Sequence, residues 1–99
     1  MDLPDLHTAE LDPPTFAALF DDLERHAEGL EVRIKGAATA NAAEGTVSLR
    51  EAQELLAGGA VRGVQIRYRY AGAEWTDTLL RSATSIRVVR MKVIPPPIV

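Results

Sequence analysis

VRGVQIRYRYAGAEWTDTLLRSATSIRVVRMKV, residues Val61 to Val93, is the stretch on which the fold turns, because it alone reads as continuous β structure. From Val64 to Tyr70 the apolar set Val64, Ile66, Tyr68 and Tyr70 alternates with Gln65, Arg67 and Arg69, the period of a strand with one buried and one wet face. Ala71-Gly72 then offers a two-residue hairpin turn, although Ala is a weaker first turn residue than Asn or Asp. A three-residue turn would reverse the parity of the second strand and bring Trp75 out beside Arg67 and Arg69, whereas the two-residue loop pairs Tyr68 with Trp75, Arg67 with Thr76, Arg69 with Glu74 and Val64 with Leu79. An aromatic pair and an aliphatic pair then face inward, and an opposite-charge pair faces water. Ser82 to Ser85 makes a second turn and Ile86 to Val93 a third strand. Its apolar set changes phase between Val88 and Val89, which predicts a bulge or a strand buried on both faces.

Working back from this sheet, Ser48-Leu49-Arg50-Glu51 is a capping box that opens a helix carrying Leu49, Ala52, Leu55 and Leu56 inward, with Gly58-Gly59 ending it. A helix so short persists only when packed, so it must lie on the sheet. Before it, Leu30, Val32 and Ile34 alternate with Glu31, Arg33 and Lys35 as a strand, and GAATANAAEG (36–45) reads as a loop of small residues. That loop has no Lys and lacks the spacing of a phosphate-binding loop. Asp12 followed by Pro13-Pro14 is a helix start. Phe16, Leu19, Phe20, Leu23 and Ala27 then recur at helical spacing opposite Asp21, Asp22, Glu24, Arg25 and Glu28, with Gly29 as the stop.

The expected fold is α+β: two helices packed on one face of a four-stranded, mainly antiparallel sheet, in the order α-β-α-β-β-β. One domain spans residues 13–93. Residues 1–12 form an N-terminal arm, with room for a short edge strand at Leu6 to Leu11, and residues 94–99 a Pro-rich tail.

A length of 99 residues suits one modest core, and 46% hydrophobic with 25% charged residues is ordinary for a folded chain. No apolar run approaches the roughly 20 residues that cross a bilayer. The start lacks the basic and apolar regions of a secretory signal, so a cytoplasmic location is expected, with no membrane partner. With no Cys, disulfides, thiolate zinc sites and cysteine nucleophiles are excluded. The net charge of −3 is unevenly spread: ten acids against four bases in residues 1–50, four acids against seven bases in residues 51–99. Either the two halves complement each other at their rims, or the sheet carries a basic binding face.

Catalytic constellations are scarce. His7 and His26 stand apart without metal-ligand spacing, and adjacent Asp21 and Asp22 diverge around a helix and form no acid–base dyad. Ser48 serves as a cap. No catalytic residue, metal or cofactor is expected. Asp77 fits least well, because the register places it beside Trp75 and Leu79, where a carboxylate needs a partner: an Arg, the backbone, or a ligand group. The remaining candidates are binding residues. Arg67 and Arg69, with Arg87 and Arg90 alongside, are spaced to track phosphates, but a stacking platform needs aromatics on the same face, and this register turns Tyr68 and Trp75 inward. Tyr70, Trp75 and the tail residues Pro95, Pro96 and Pro97 suit protein recognition, or the tail covers a sheet edge. The expected function is that of a small non-enzymatic accessory or adaptor protein, binding a protein partner through the sheet face, an edge strand or the tail. Alternatives are RNA or single-stranded DNA binding through the Arg face, and a small-molecule enzyme or binder using Trp75 and Asp77. An edge strand also permits a homodimer.

Overall fold

The computed structural model describes residues 6–37 and 45–93. Two helices lie on one face of an antiparallel sheet, as the hydrophobic pattern requires. The elements are β1 Leu6–Leu11, α1 Pro13–His26, β2 Glu28–Ala37, β3 Gly45–Thr46, α2 Leu49–Ala57, β4 Val61–Tyr70, β5 Ala73–Arg81 and β6 Ile86–Lys92. The strand order is β1-β6-β5-β4-β2-β3. The expected four strands thus become five long ones plus the two-residue β3, and the first described element is a strand, not a helix. Leu6–Leu11, the short edge strand for which the N-terminal arm had room, pairs along its whole length with β6.

The helix starts follow from their caps. Asp12 Oδ1 accepts the Thr15 N–H at 2.8 Å, and bonding from Thr15, its side chain first and its N–H second, lowers the Asp12 pKa; Ser48 Oγ accepts the Glu51 N–H at 3.1 Å. α2 ends at a glycine pair: Gly59 N–H donates to Leu56 O and Ala60 N–H to Leu55 O, with Gly59 at φ +77°. α1 ends differently from expectation. Its C-cap is Ala27 in extended geometry, and Gly29 instead takes φ +60° inside β2, where the β2–β4 register slips between Glu28 and Glu31. β2 therefore begins sooner after α1 than a Gly stop would allow.

The β4–β5 hairpin has the expected register, with Tyr68 opposite Trp75, Val64 opposite Leu79 and Ile66 opposite Asp77. Ala71 and Gly72 both have positive φ, 53° and 78°, the turn whose twist matches its strands. Trp75 is 4% exposed and sits in a core with Phe20, Leu23, Leu56, Ile66 and Leu79. β6 has no bulge, because its pairing with β5 and β1 is continuous. Val88 and Val89 instead face opposite sides, Val88 in the core and Val89 half-buried on the uncovered face. No helix among the described residues is long and apolar enough to cross a membrane.

Candidate functional site

The two helices cover one face of the sheet only, and strict alternation fills the other with a definable set of side chains. Following the registers across the strands, its centre holds Thr76, Thr78, Val89, Leu80 and Met91, with Leu80 48% and Met91 51% exposed. Around this centre stand Arg33, Lys35, Arg67, Arg69 and Arg87, against the acids Glu10, Glu28, Glu31 and Glu74. Three of the acids are engaged: Arg33 Nε bonds Glu31 Oε1 at 2.7 Å, Arg67 Nη2 bonds Glu74 Oε1 at 3.3 Å, and Arg87 Nη2 lies 4.0 Å from Glu10 Oε1, while Glu28 stands opposite Arg69 in the register. The bond from Arg33, with its charge, lowers the Glu31 pKa. Lys35 and Arg69 have no ion-pair partner among the described residues.

Of the sequence candidates, Arg67, Arg69 and Arg87 are brought together on this face. Directly opposite residues fix strand pairing, but the ion pair forms on a diagonal: Glu74 bonds Arg67, not the Arg69 opposite it, whose guanidinium lies against Gly29. Arg90 belongs to the other side of the sheet. It lies opposite Asp77 in the β5–β6 register, so no bulge carries it outward, and its side chain is 12% exposed. Tyr70 is half-buried toward the helices, and Pro95, Pro96 and Pro97 lie outside the described residues. His7 and His26 are exposed, on β1 and at the end of α1.

Asp77 is the most deeply buried charged residue among the described residues, at 0% exposure. Arg90 grips it in a fork, Nε to Oδ1 at 2.9 Å and Nη2 to Oδ2 at 2.7 Å, and Tyr68 donates its hydroxyl to Oδ1 at 3.0 Å. Burial opposes the charge on Arg90, but bonding to Asp77 and the attraction of its carboxylate outweigh it, and the Arg90 pKa rises. Burial first, and the neighbouring carboxylate second, push the Tyr68 hydroxyl well above the usual phenol range. The triad satisfies both carboxylate oxygens internally, so Asp77 and Trp75 are held within the core and away from any surface partner. Trp75 Nε1 is the one buried side-chain polar atom without a bond among the described residues, a cost of about 1–3 kcal/mol that packing of the indole must offset.

Sequence reading missed Leu80, Met91, Arg33 and Lys35 as members of the face. The alternation along each strand was there to be read, but only the strand order shows which faces merge. Comparison with known proteins finds no matching family model, no similar curated protein and no similar solved structure.

Proposed function

We propose that this chain is a small non-enzymatic binding module, an accessory or adaptor protein of the cytoplasm, whose open sheet face docks on an acidic surface of another protein. The observation that carries this reading is the one-sided cover. A sheet five long strands wide keeps one face free of the two helices, and that face combines exposed Leu80 and Met91 with five bases against four acids, Lys35 and Arg69 standing outside any ion pair among the described residues. Charge is sorted across the molecule, for the helices present Asp21, Glu24, Glu51 and Glu54 outward with only Arg25 and Arg50 among them. An acidic partner is thereby drawn to one side and repelled from the other.

The test is affinity capture with the whole chain, its Lys35→Glu/Arg69→Glu variant, a Leu80→Asp variant, and a helix-face control, Glu24→Lys. The expected result is a nuclease-resistant protein partner lost in the two face variants and at high salt, and retained by the control. Equal capture by all four refutes the reading. A second reading, RNA or single-stranded DNA binding, is favoured by Arg67, Arg69 and Arg87 sharing one face, although Tyr68 and Trp75 point inward where no base can stack on them. Binding to a homopolymer that falls steeply with salt and disappears in Arg67→Glu is the outcome that selects it.

A further inference from the structure

One bond fixes which backbone groups of β1 face outward. Val93 N–H donates to Glu74 O at 2.8 Å, and the β5–β6 register, continued by one residue from Trp75 and Lys92, puts Glu74 opposite Val93. Glu74 and Val93 are therefore a hydrogen-bonded pair, and along β6 the odd-numbered residues bond to β5 while the even-numbered ones bond to β1. Arg90, Val88 and Ile86 lie opposite His7, Ala9 and Leu11. The N–H and C=O groups of Thr8 and Glu10 consequently point away from the sheet, into the open side of an edge strand. Neither Pro nor Lys occurs in LHTAEL and its pairing has no register slip, so among the described residues only the Glu10 charge, which Arg87 faces at 4.0 Å, blunts this edge.

A groove of about 230 Å³ lies beside this edge on the helix side. Ala9, Leu11, Val88 and Arg90 form its floor, and Thr15, Ala18, Leu19 and Asp22 of α1 form one wall. β1 is the outermost strand, so the sheet provides no opposite wall. The His7 end of the groove is electronegative. Asp77 already neutralises Arg90, and Asp22, close enough to bear on the Arg90 charge, adds a second carboxylate. Asp77, Arg90 and Asp22 together carry one net negative charge.

We infer that β1 and this groove receive an extended segment of a partner protein, added antiparallel to β1, with the pattern apolar-x-apolar-x-basic. Its backbone bonds Thr8 and Glu10. Its two apolar side chains lie over Leu11 and Ala9 and supply the missing wall, and its Lys or Arg, opposite His7, meets Asp22. Period two in the added strand gives this spacing, since only alternate residues face the groove. Main-chain pairing supplies affinity and the groove supplies selectivity. The site is separate from the open face, where the Thr8 and Glu10 side chains point.

The experiment pans a phage-displayed random dodecapeptide library on the full chain and measures the enriched peptides by fluorescence polarisation and amide hydrogen exchange. Expected are peptides with the apolar-x-apolar-x-basic pattern that weaken about tenfold or more against Asp22→Lys, a loss of roughly 1.4 kcal/mol, and that do not bind Thr8→Pro. That second variant removes an outward N–H and leaves the β1–β6 bonds in place. Binding should slow exchange at Thr8 and Glu10, and the open-face variant Lys35→Glu/Arg69→Glu should bind the peptides unchanged. If the enriched peptides lack this pattern, ignore Asp22→Lys, or protect open-face amides instead, the inference fails. Protection of Thr8 and Glu10 before any peptide is added, together with a dimer in sedimentation, overturns it in favour of self-pairing through β1.

Discussion

Replacing Arg90 by Met tests whether the buried triad is an ion pair on which the fold depends. Asp77 is 0% exposed and draws two of its three hydrogen bonds from Arg90, so Arg90→Met leaves a carboxylate in the core with only the Tyr68 hydroxyl. Breaking such a pair from one side costs about 3–5 kcal/mol. The Arg90 side chain keeps 12% exposure, so water can approach the vacated end, and we place the loss at about 3 kcal/mol. In a domain stable by about 5–10 kcal/mol this is a large fraction. Tyr68→Phe removes one bond to a charged group but leaves the fork, a loss near the lower end of about 1.5–3 kcal/mol. Removing both charges and the hydroxyl that bonds them, Asp77→Leu with Arg90→Met and Tyr68→Phe, takes away the desolvation penalty together with the attraction, leaves no orphaned donor, and should return stability to within about 1 kcal/mol of the parent. Urea unfolding read by far-UV circular dichroism and by Trp75, the only Trp and a buried one, gives all four values. A loss below about 1 kcal/mol for Arg90→Met, or a triple variant less stable than either single one, would refute the reasoning.

Alkaline pH should expose the cost of keeping Tyr68 protonated. Its folded pKa is raised above the unfolded value of about 10, so its contribution is intact below about pH 10 and declines by roughly 1.4 kcal/mol per pH unit above it, and Tyr68→Phe should flatten that slope in urea titrations between pH 9 and 11. Ala71 adopts φ 53°, a conformation that Asn tolerates better, so Ala71→Asn should raise stability by about 1 kcal/mol as measured by thermal unfolding. Gly29→Ala should lower the melting temperature, because φ is +60° there and an added Cβ would lie 3.3 Å from the Arg69 guanidinium. Ser48→Ala, which frees the Glu51 N–H, should cost about 1 kcal/mol and fray α2 first, visible as faster amide exchange in its first turn.

The hairpin was legible because two independent signals agreed on it. Alternation in β4 and a loop of two residues admit one register, and that register put Trp75 inside and Asp77 with it. The capping box at Ser48 and the Asp12-Pro13 start were equally local. What stayed hidden was non-local. LHTAEL left room for a short edge strand with the bounds it proves to have, but it alternates too weakly to exclude a loose arm, and its strand identity comes from pairing with residues far along the chain. Gly29 reads as a helix stop on position alone, and only the slip against β4 shows it serving a bulge. Arg90 looks like one more exposed base until β6 proves continuous and places it opposite the buried carboxylate, the partner that Asp77 demanded from the outset.

The pairing of β1 with β6 ties together residues about eighty positions apart, the longest-range contact in the sheet. A ribosome therefore releases β1 long before the strand that will hold it exists. In the interval its backbone is unpaired on both sides, and α1, which follows it directly, has only part of a sheet to rest on. Final closure waits for β6, so of the described strands the one made first is the last to be locked, and a nascent chain stalled before Ile86 has no native place for it.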